Sequence, residues 1–291
     1  MIGIVPRSFG VHDGSFHADE VTACAIMLYF GMIDKDKIVR TRDYNHLANC
    51  QFVCDVGGVY DPGKKRFDHH QASYQGSLSS AGMICLYLKD TKVIENDLYT
   101  YLIDRFVHGV DEVDTGVRFP PQGHADFSSI IASFVPVSYE ATDEQMQEAF
   151  FEAVDFTLSF LKRIIEKYYY LKKCSKVVEE VMKIMDECLI FDQKIPWLEP
   201  FFSLGGENHP AEFVIMPSGD HWKLRAVPPS YEKRMTVRRP LPEAWGGKIR
   251  EELQKVSGID GAVFCHKGRF ISVWKTKEDA LKALKYVLET K

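Results

Sequence analysis

Between Thr142 and Ile190 the chain runs through strong helix formers without a single proline or glycine. Helices in globular domains average only about 11–12 residues. A run this long therefore predicts one long helix or two broken ones, closing one domain and bridging to the next. The chain has 291 residues, a length that suits two medium domains. The boundary is drawn at residues 1–190 and 191–291, with 141–190 as the helical bridge.

Before the bridge, strand and helix patterns alternate. Ile2 to Val11 reads as a strand, and Glu20 to Phe30 as a helix packed on both sides with Asp19 as its N-cap. Lys37 to Arg42 and Phe52 to Asp55 read as further strands, the second ending at Gly57-Gly58. Val59-Tyr60 and Lys65 to Phe67 flank the turn signal Asp61-Pro62-Gly63, which predicts a small hairpin. Leu78 to Leu88 and Asn96 to Val107 read as helices. The alternation predicts an α/β domain with a mainly parallel sheet and helices on both faces. In such sheets the ligand site lies beyond the carboxyl ends of the strands.

After the bridge, Pro196, Pro200, Gly205-Gly206, Pro210 and Pro217 punctuate short β runs. Phe213 to Met216 with Trp222 to Val227 predict one hairpin, and Ala262 to Cys265 with Phe270 to Trp274 another. Thr276 to Leu288 closes the chain as a helix. This is a smaller C-terminal α+β domain.

The net charge of −5 argues against a generally basic nucleic-acid coat. A local basic stretch exists all the same. Residues 221–250 carry eight Lys and Arg against Glu232 and Glu243, interleaved with Trp222, Tyr231 and Trp245. Cations among aromatics suit the phosphates and bases of a single strand. Seven cysteines, an odd number set in apolar patterns, read as reduced thiols of a cytoplasmic protein. The longest apolar run, Val21 to Ile33, is too short to span a bilayer, and no signal peptide opens the chain. No membrane partner is expected; a mature organellar form and the oligomeric state stay open. His-Glu-x-x-His, P-loop and Gly-x-Ser-x-Gly motifs are missing, as is the Pro-Cys-x-x-Cys of zinc deaminases.

Four polar clusters carry the chemistry. His12, His17 and Asp19 fall together at the end of the first strand, with Gly10 and Gly14 giving the backbone room to bend. Asp55 ends an apolar strand, where a carboxylate is costly unless exposed, paired or metal-bound. In Asp68-His69-His70 one imidazole is free to bind metal while its neighbour contacts substrate, and Asp68 is placed to orient a ring. Asp111, Glu112, Asp114 and Thr115 crowd a helix end, where acids oppose the dipole unless a cation sits nearby. Mixed imidazole and carboxylate ligands suit Mn, Fe, Zn or Ni better than Ca. Together the clusters supply ligands for two divalent ions, a site suited to attack of a bridging hydroxide on phosphorus, with Asp55 as the bridging carboxylate.

The order His-x4-His-x-Asp, Asp-x-Gly-Gly, Asp-His-His, Asp-Thr-Gly resembles the DHH phosphoesterase superfamily. More closely, HDGSFHADE from His12, DVGGVYDP from Asp55, RFDHHQ from Arg66, VDTG from Val113 and RRPLPEAWGG from Arg238 resemble the melanocyte-proliferating-gene exonuclease family. The resemblance implies a DHH domain and a smaller C-terminal domain across a cleft. It implies hydrolysis of a phosphodiester with two divalent ions, Mn²⁺ favoured over Mg²⁺, Zn²⁺, Fe²⁺ or Ni²⁺, on single-stranded RNA or short oligonucleotides in the 3′-to-5′ direction. His12, His17 and Asp55 would hold one ion, and Asp19, Asp55, His69 and Asp114 the other. Asp55, Asp68 and His70 are then the expected catalytic residues. His70, Arg238, Arg239 and Trp245, with His266 beside Lys267-Gly268, are the expected substrate contacts. Two points stay open here: Asp111 competes with Asp114, and His17 stands where the wider superfamily has Asp. The competing functions are a small-phosphate hydrolase using the same site and a non-catalytic nucleic-acid-binding protein with structural ions.

Overall fold

The apolar run that leads to His12 forms strand β1 (Val5–Val11), whose last four residues are buried. These features belong to a computed structural model that describes residues 3–290. Ile2, assigned above to the first strand, lies outside the described residues. Four strands run parallel: β1, β2 (Ile38–Arg40), β3 (Cys50–Cys54) and β5 (Arg66–Phe67). The two-residue β4 (Tyr60–Asp61) pairs antiparallel with β5 as the short hairpin, and the sheet order is β2-β1-β3-β5-β4.

The helical layers over this sheet are unequal. On one face Phe9, Val11, Phe52 and Phe67 pack against helix α1 (Ala18–Tyr29), helix α3 (Ser80–Asp90) and a later helix contributing Phe150 and Val154. The other face carries little more than α2 (Tyr44–Asn49), whose Leu47 packs with Cys50, Val53 and Val56. Gly10 permits that close approach: a Cβ there would lie 2.8 Å from Leu47 Cδ2 and 3.2 Å from Cys50 Sγ. Gly10 is thus a packing residue, whereas Gly14, at φ +78°, makes the turn. The N-cap of α1 is His17, not Asp19. Its backbone N–H donates to Glu20 at 2.9 Å, which satisfies one end of the helix and places Asp19 inside the first turn.

Helix α4 (Asn96–Leu102) runs through a π-helical turn, Ile103–Val107, into α5 (His108–Asp114). The extra residue of such a turn rotates everything beyond it by about 100°. Asp111 and Asp114 are set beyond this turn. A short α6 (Phe127–Ala132) follows, and then α7, a single helix from Asp143 to Met182. The bridge is therefore one helix.

The chain divides into two compact units, Met1–Tyr168 and Tyr169–Lys291. The boundary falls inside α7, earlier than the 190/191 division read from composition. The last turns of α7 go with the second unit because Cys174 and Val178 pack with Leu189, Phe191 and Val214, and β6 (Cys188–Ile190) joins its sheet by pairing parallel with β7 (Phe213–Ser218). That sheet continues through β8 (His221–Ala226), β10 (Ile271–Trp274) and β9 (Ala262–Cys265), all antiparallel. Alternation along β7 divides the unit: Phe213 and Ile215 face a core with Trp245, Trp274 and Ala283, whereas Val214 and Met216 face Val178, Leu189 and Phe201. Helices α8 (Leu198–Ser203), α9 (Arg250–Ser257) and α10 (Lys277–Glu289) complete it. All seven cysteines are free and buried. Among the described residues no helix is long and apolar enough to cross a membrane.

Asp111 latches α5 to the start of α3. Its Oδ1 accepts from Ser79 Oγ at 2.6 Å, Ser79 N at 3.1 Å and Gly82 N at 3.0 Å. Gly82 is required by this contact, since a Cβ there would sit 2.3 Å from Asp111 Oδ2. Helix propensity alone predicts that Gly82→Ala gains about 1 kcal/mol. Overpacking against the latch costs about 1–3 kcal/mol. Urea denaturation of Gly82→Ala is expected to show a net loss, coupled to Asp111 in a double-mutant cycle; a stabilised variant would contradict the latch.

Candidate active site

The carboxyl ends of the parallel strands place the polar clusters together. His12 follows β1, Asp55 follows β3, and Asp68-His69-His70 follow β5. Helix α1 adds His17 and Asp19 from its N-terminus, and α5 adds Asp114 as its last residue. Asp55 adopts a left-handed backbone, φ +58°, just where the chain leaves the strand toward Gly57 and Gly58 at φ +97° and +68°. Such conformations are disfavoured for residues with a side chain and persist where the surroundings impose them. Here Asp55 N donates to Phe67 O at 3.0 Å, and Ser80 Oγ donates to Asp55 Oδ1 at 3.3 Å.

Three overlapping groups offer ligand atoms within 4.8 Å of one another: His12, His17, Glu20 and Asp55; Asp55, His69 and His70; His17, Asp19 and Asp114. Nε2 of His12 lies 3.0 Å from Glu20 Oε1 and 3.3 Å from Asp55 Oδ2. Nε2 of His69 lies 3.2 Å from Asp114 Oδ2. The six ligands expected from sequence thus converge, with Asp55 common to two groups and His17 to two.

The electrostatics point to a missing positive charge. Asp19 is 0% exposed, and neither of its side-chain oxygens has a hydrogen-bond partner among the described residues. Burial, then the charges of Asp55, Glu20 and Asp114, push its carboxyl well above the usual range. Burial, reinforced by Asp55, also raises Asp114. Asp55 Oδ2 is also buried, with the His12 ring nitrogen Nε2 3.3 Å away. Burial opposes the charge on His12, yet hydrogen bonds to Asp55 and Glu20 prevail and raise it to about 10. Carboxylates and imidazoles converging around unpartnered buried oxygens form a donor set that fits divalent transition metals.

Asp68 is engaged differently. Its Oδ1 accepts from His70 N at 3.0 Å and lies 2.8 Å from His70 Nδ1, while Oδ2 accepts from Gly58 N at 2.6 Å. Burial would raise its pKa, but these hydrogen bonds outweigh it and lower the value below the usual carboxylate. Asp68 is therefore a fixed anion that orients His70. The His70 ring is stacked on His69 at 4.3 Å between centroids and is 61% exposed, with Nε2 on the side away from Asp68. Asp111 and Asp114 separate cleanly: the latch holds Asp111 against α3, where burial raises it to about 6, and only Asp114 reaches the ligand groups.

The substrate contacts expected in the second unit are largely committed to its interior. The Arg238 guanidinium donates to the carbonyls of His209, Ala211 and Gly206 at 2.5–2.8 Å. Arg239 pairs with Glu212 at 3.2 Å and donates to Val287 O. Trp245 is 0% exposed and packs edge-on to Trp274, so its ring presents no face to a base. His266 is half-buried, and its Nδ1 accepts from Gly268 N at 2.9 Å. The basic run reads as a surface because sequence shows charge but not the carbonyls that a buried guanidinium serves. Sequence reasoning also missed Glu20 and Ser80. The His17-x-x-Glu20 spacing of a capping box was the available signal for Glu20; for Ser80 there was none.

Residues 8–288 match the model of MYG1_exonuc, described as "Uncharacterised protein family (UPF0160)". The chain belongs to this family. It is 51% identical to the MYG1 protein of Chlamydia muridarum, covering 98% of both chains. To the MYG1 exonuclease of Homo sapiens it is 31% identical over 98% of this chain and 86% of that one. The crystal structure of RecJ in complex with Mn²⁺ from Thermus thermophilus aligns over 98% of this chain and 52% of that chain, with 12% identity and a TM-score of 0.28. At that score the likeness carries no argument.

In this MYG1-family chain, whether Asp19 helps hold a metal is measurable without turnover. A carboxyl whose folded pKa is raised binds its proton more tightly when folded. Its contribution to stability is present below the ordinary carboxylate range and is lost as pH rises from about 4 toward the folded value. Metal-free wild type is therefore expected to lose stability relative to Asp19→Asn as pH rises. Adding Mn²⁺ should reverse the order, raising the melting temperature of wild type much more than that of the variant. Equal Mn²⁺ stabilisation of both proteins would remove Asp19 from the metal site.

Proposed function

We propose that this chain is a divalent-metal-dependent phosphodiesterase, acting as a 3′-to-5′ exonuclease on RNA or short single-stranded oligonucleotides. The observation that carries the reading is the convergence of Asp19, Asp55, His69 and Asp114 around buried oxygens without partners. The naming of the human relative as an exonuclease supports it. His12, His17 and Asp55 would hold one ion, and Asp19, Asp55, His69 and Asp114 a second, with Mn²⁺ favoured. Bound divalent ions supply Lewis acidity and lower the pKa of an attacking water.

The protein's own residues position the substrate. Asp68 holds His70 Nδ1, leaving Nε2 toward the pocket. When protonated, His70 donates from Nε2 to a phosphate oxygen, in a site whose groups are already oriented before substrate arrives. Ser80 and the strand end keep the Asp55 carboxylate in its strained position. The pocket beside these residues has a volume of about 470 Å³, within the range that holds small ligands.

A small-phosphate hydrolase is the second reading. It is favoured by one observation: Arg238, Arg239 and Trp245 are engaged within their own unit. Phosphate release from pyrophosphate and nucleotides separates the two readings.

Purified protein with Mn²⁺ should shorten 5′-labelled single-stranded RNA progressively. Asp55→Ala should be folded and inactive, whereas a structural ion site predicts lost stability even without substrate. His70→Ala should lower turnover by about 10²-fold or more with metal content near wild type. No shortening under any divalent metal, with the metals demonstrably bound, overturns the nuclease reading. Metal loss in His70→Ala equal to that of Asp55→Ala overturns the role of His70.

A further inference from the structure

We propose that Arg42 and Tyr44 form a nucleotide-recognition edge on the metal-site pocket, Arg42 gripping a phosphate and Tyr44 stacking the attached base. This deepens the phosphoesterase reading and rests on it for the identity of the pocket. It assigns two further side chains, Arg42 and Tyr44, to substrate recognition at that site.

The fold brings both residues to the site. Strand β2 is the parallel neighbour of β1, and Thr41 N donates to Val11 O at 2.8 Å, so the chain leaving β2 emerges beside His12. The turn is pinned there: Asp43 N donates to Thr41 Oγ1 at 3.1 Å, and Asp43 Oδ1 accepts from Asn45 N at 2.7 Å. Arg42 and Tyr44 flank this pinned Asp43. Both line the same cavity as His12, Asp55 and His70.

Charge argues for Arg42. Of the residues lining that cavity it alone is Lys or Arg, whereas Asp55 and Asp68 are also in the lining. A phosphate entering beside these acids needs a further cation besides any bound ion. Arg42 Nε is ion-paired with Asp13 Oδ1 at 3.2 Å, which orients the fork. The rest of the guanidinium has no other partner among the described residues, and the side chain is 64% exposed. A planar fork with two free nitrogens matches phosphate oxygens in a way that an ammonium does not.

Shape argues for Tyr44. It is 72% exposed at the mouth of a polar pocket, on the first turn of α2 rather than on a loose loop. An aromatic ring held there has a free face, and every base has one to match. The cavity lining also includes Gly57 and Gly58, where an added Cβ would meet nothing within 4 Å, so part of the lining is bare backbone. A nucleotide supplies an anion and a flat ring in one molecule. Pyrophosphate leaves Tyr44 without a role.

The test is equilibrium binding by calorimetry in Mn²⁺ buffer, with adenosine 5′-monophosphate and ribose 5-phosphate as probes. Both side chains are exposed, and circular dichroism checks that the variants fold. Wild type should bind adenosine 5′-monophosphate about tenfold more tightly than ribose 5-phosphate. Tyr44→Ala should abolish that difference and Tyr44→Phe retain it. Arg42→Ala should weaken both ligands about tenfold, and Arg42→Lys should restore only part. Equal binding of the two ligands by wild type, or variants indistinguishable from it, overturns the inference. Because no turnover is read, the two proposals fail separately. A protein that binds the nucleotide through Tyr44 but cleaves no phosphodiester sinks the phosphoesterase reading alone.

Discussion

A carboxylate buried among carboxylates is the constraint around which the first unit is organised. Asp19 has no exposure and, among the described residues, no hydrogen-bond partner; burial raises its pKa, and Asp55, Glu20 and Asp114 raise it further. Taking an unpaired charge out of water costs several kcal/mol. A protein that only needed a stable α1 would place an apolar residue there, as it does at Val21 and Ile26 on the same helix. The unfavourable position makes sense when a cation completes it. The rest of the site then follows as ways of holding other ligands against the same point.

Those supports are spread over elements far apart in sequence. Asp55 is bent into left-handed geometry and tied by Ser80 from α3. Asp111 ties α5 to the start of that same α3, and the π-helical turn sets the facing of α5. Thus Asp114, the last residue of α5, is positioned by contacts that begin with a serine two elements earlier. Each tie is a hydrogen bond in a buried setting, where losing one partner leaves the other unsatisfied.

The local signals in the sequence were mostly sound. Alternation of strands and helices gave the parallel sheet, and the absence of proline and glycine gave α7. The polar residues just after β1, β3 and β5 stood out, because a carboxylate ending an apolar strand needs a reason, and the fold brings them together. What stayed illegible was directional. Asp111 and Asp114 differ by one helical turn, and only their three-dimensional partners distinguish the latch from the residue that joins the His17 and Asp19 group. Arg238 and Trp245 belong to a stretch that reads as a basic, aromatic surface, yet the guanidinium satisfies carbonyls and the indole fills a core. Charge and ring are visible in sequence, but the side on which they fall is not. The short β6 was hidden for a related reason: three residues give little periodicity until their partner strand is known.

His17 illustrates how such a local reading is completed by structure. Its imidazole brings no negative charge to the first group, and sequence alone leaves the preferred metal open on that account. Glu20 alters that balance. It is fully buried, accepts from His17 N, and lies 3.0 Å from His12 Nε2. The group therefore contains two carboxylates, Glu20 and Asp55, with two imidazoles. The charge absent at one position is supplied one helical turn along. The same glutamate closes the N-terminus of α1, so helix capping and site charge are served by one side chain. A substitution of Glu20 would consequently disturb the helix that carries Asp19 as well as the ring of His12, and the two effects share a single cause.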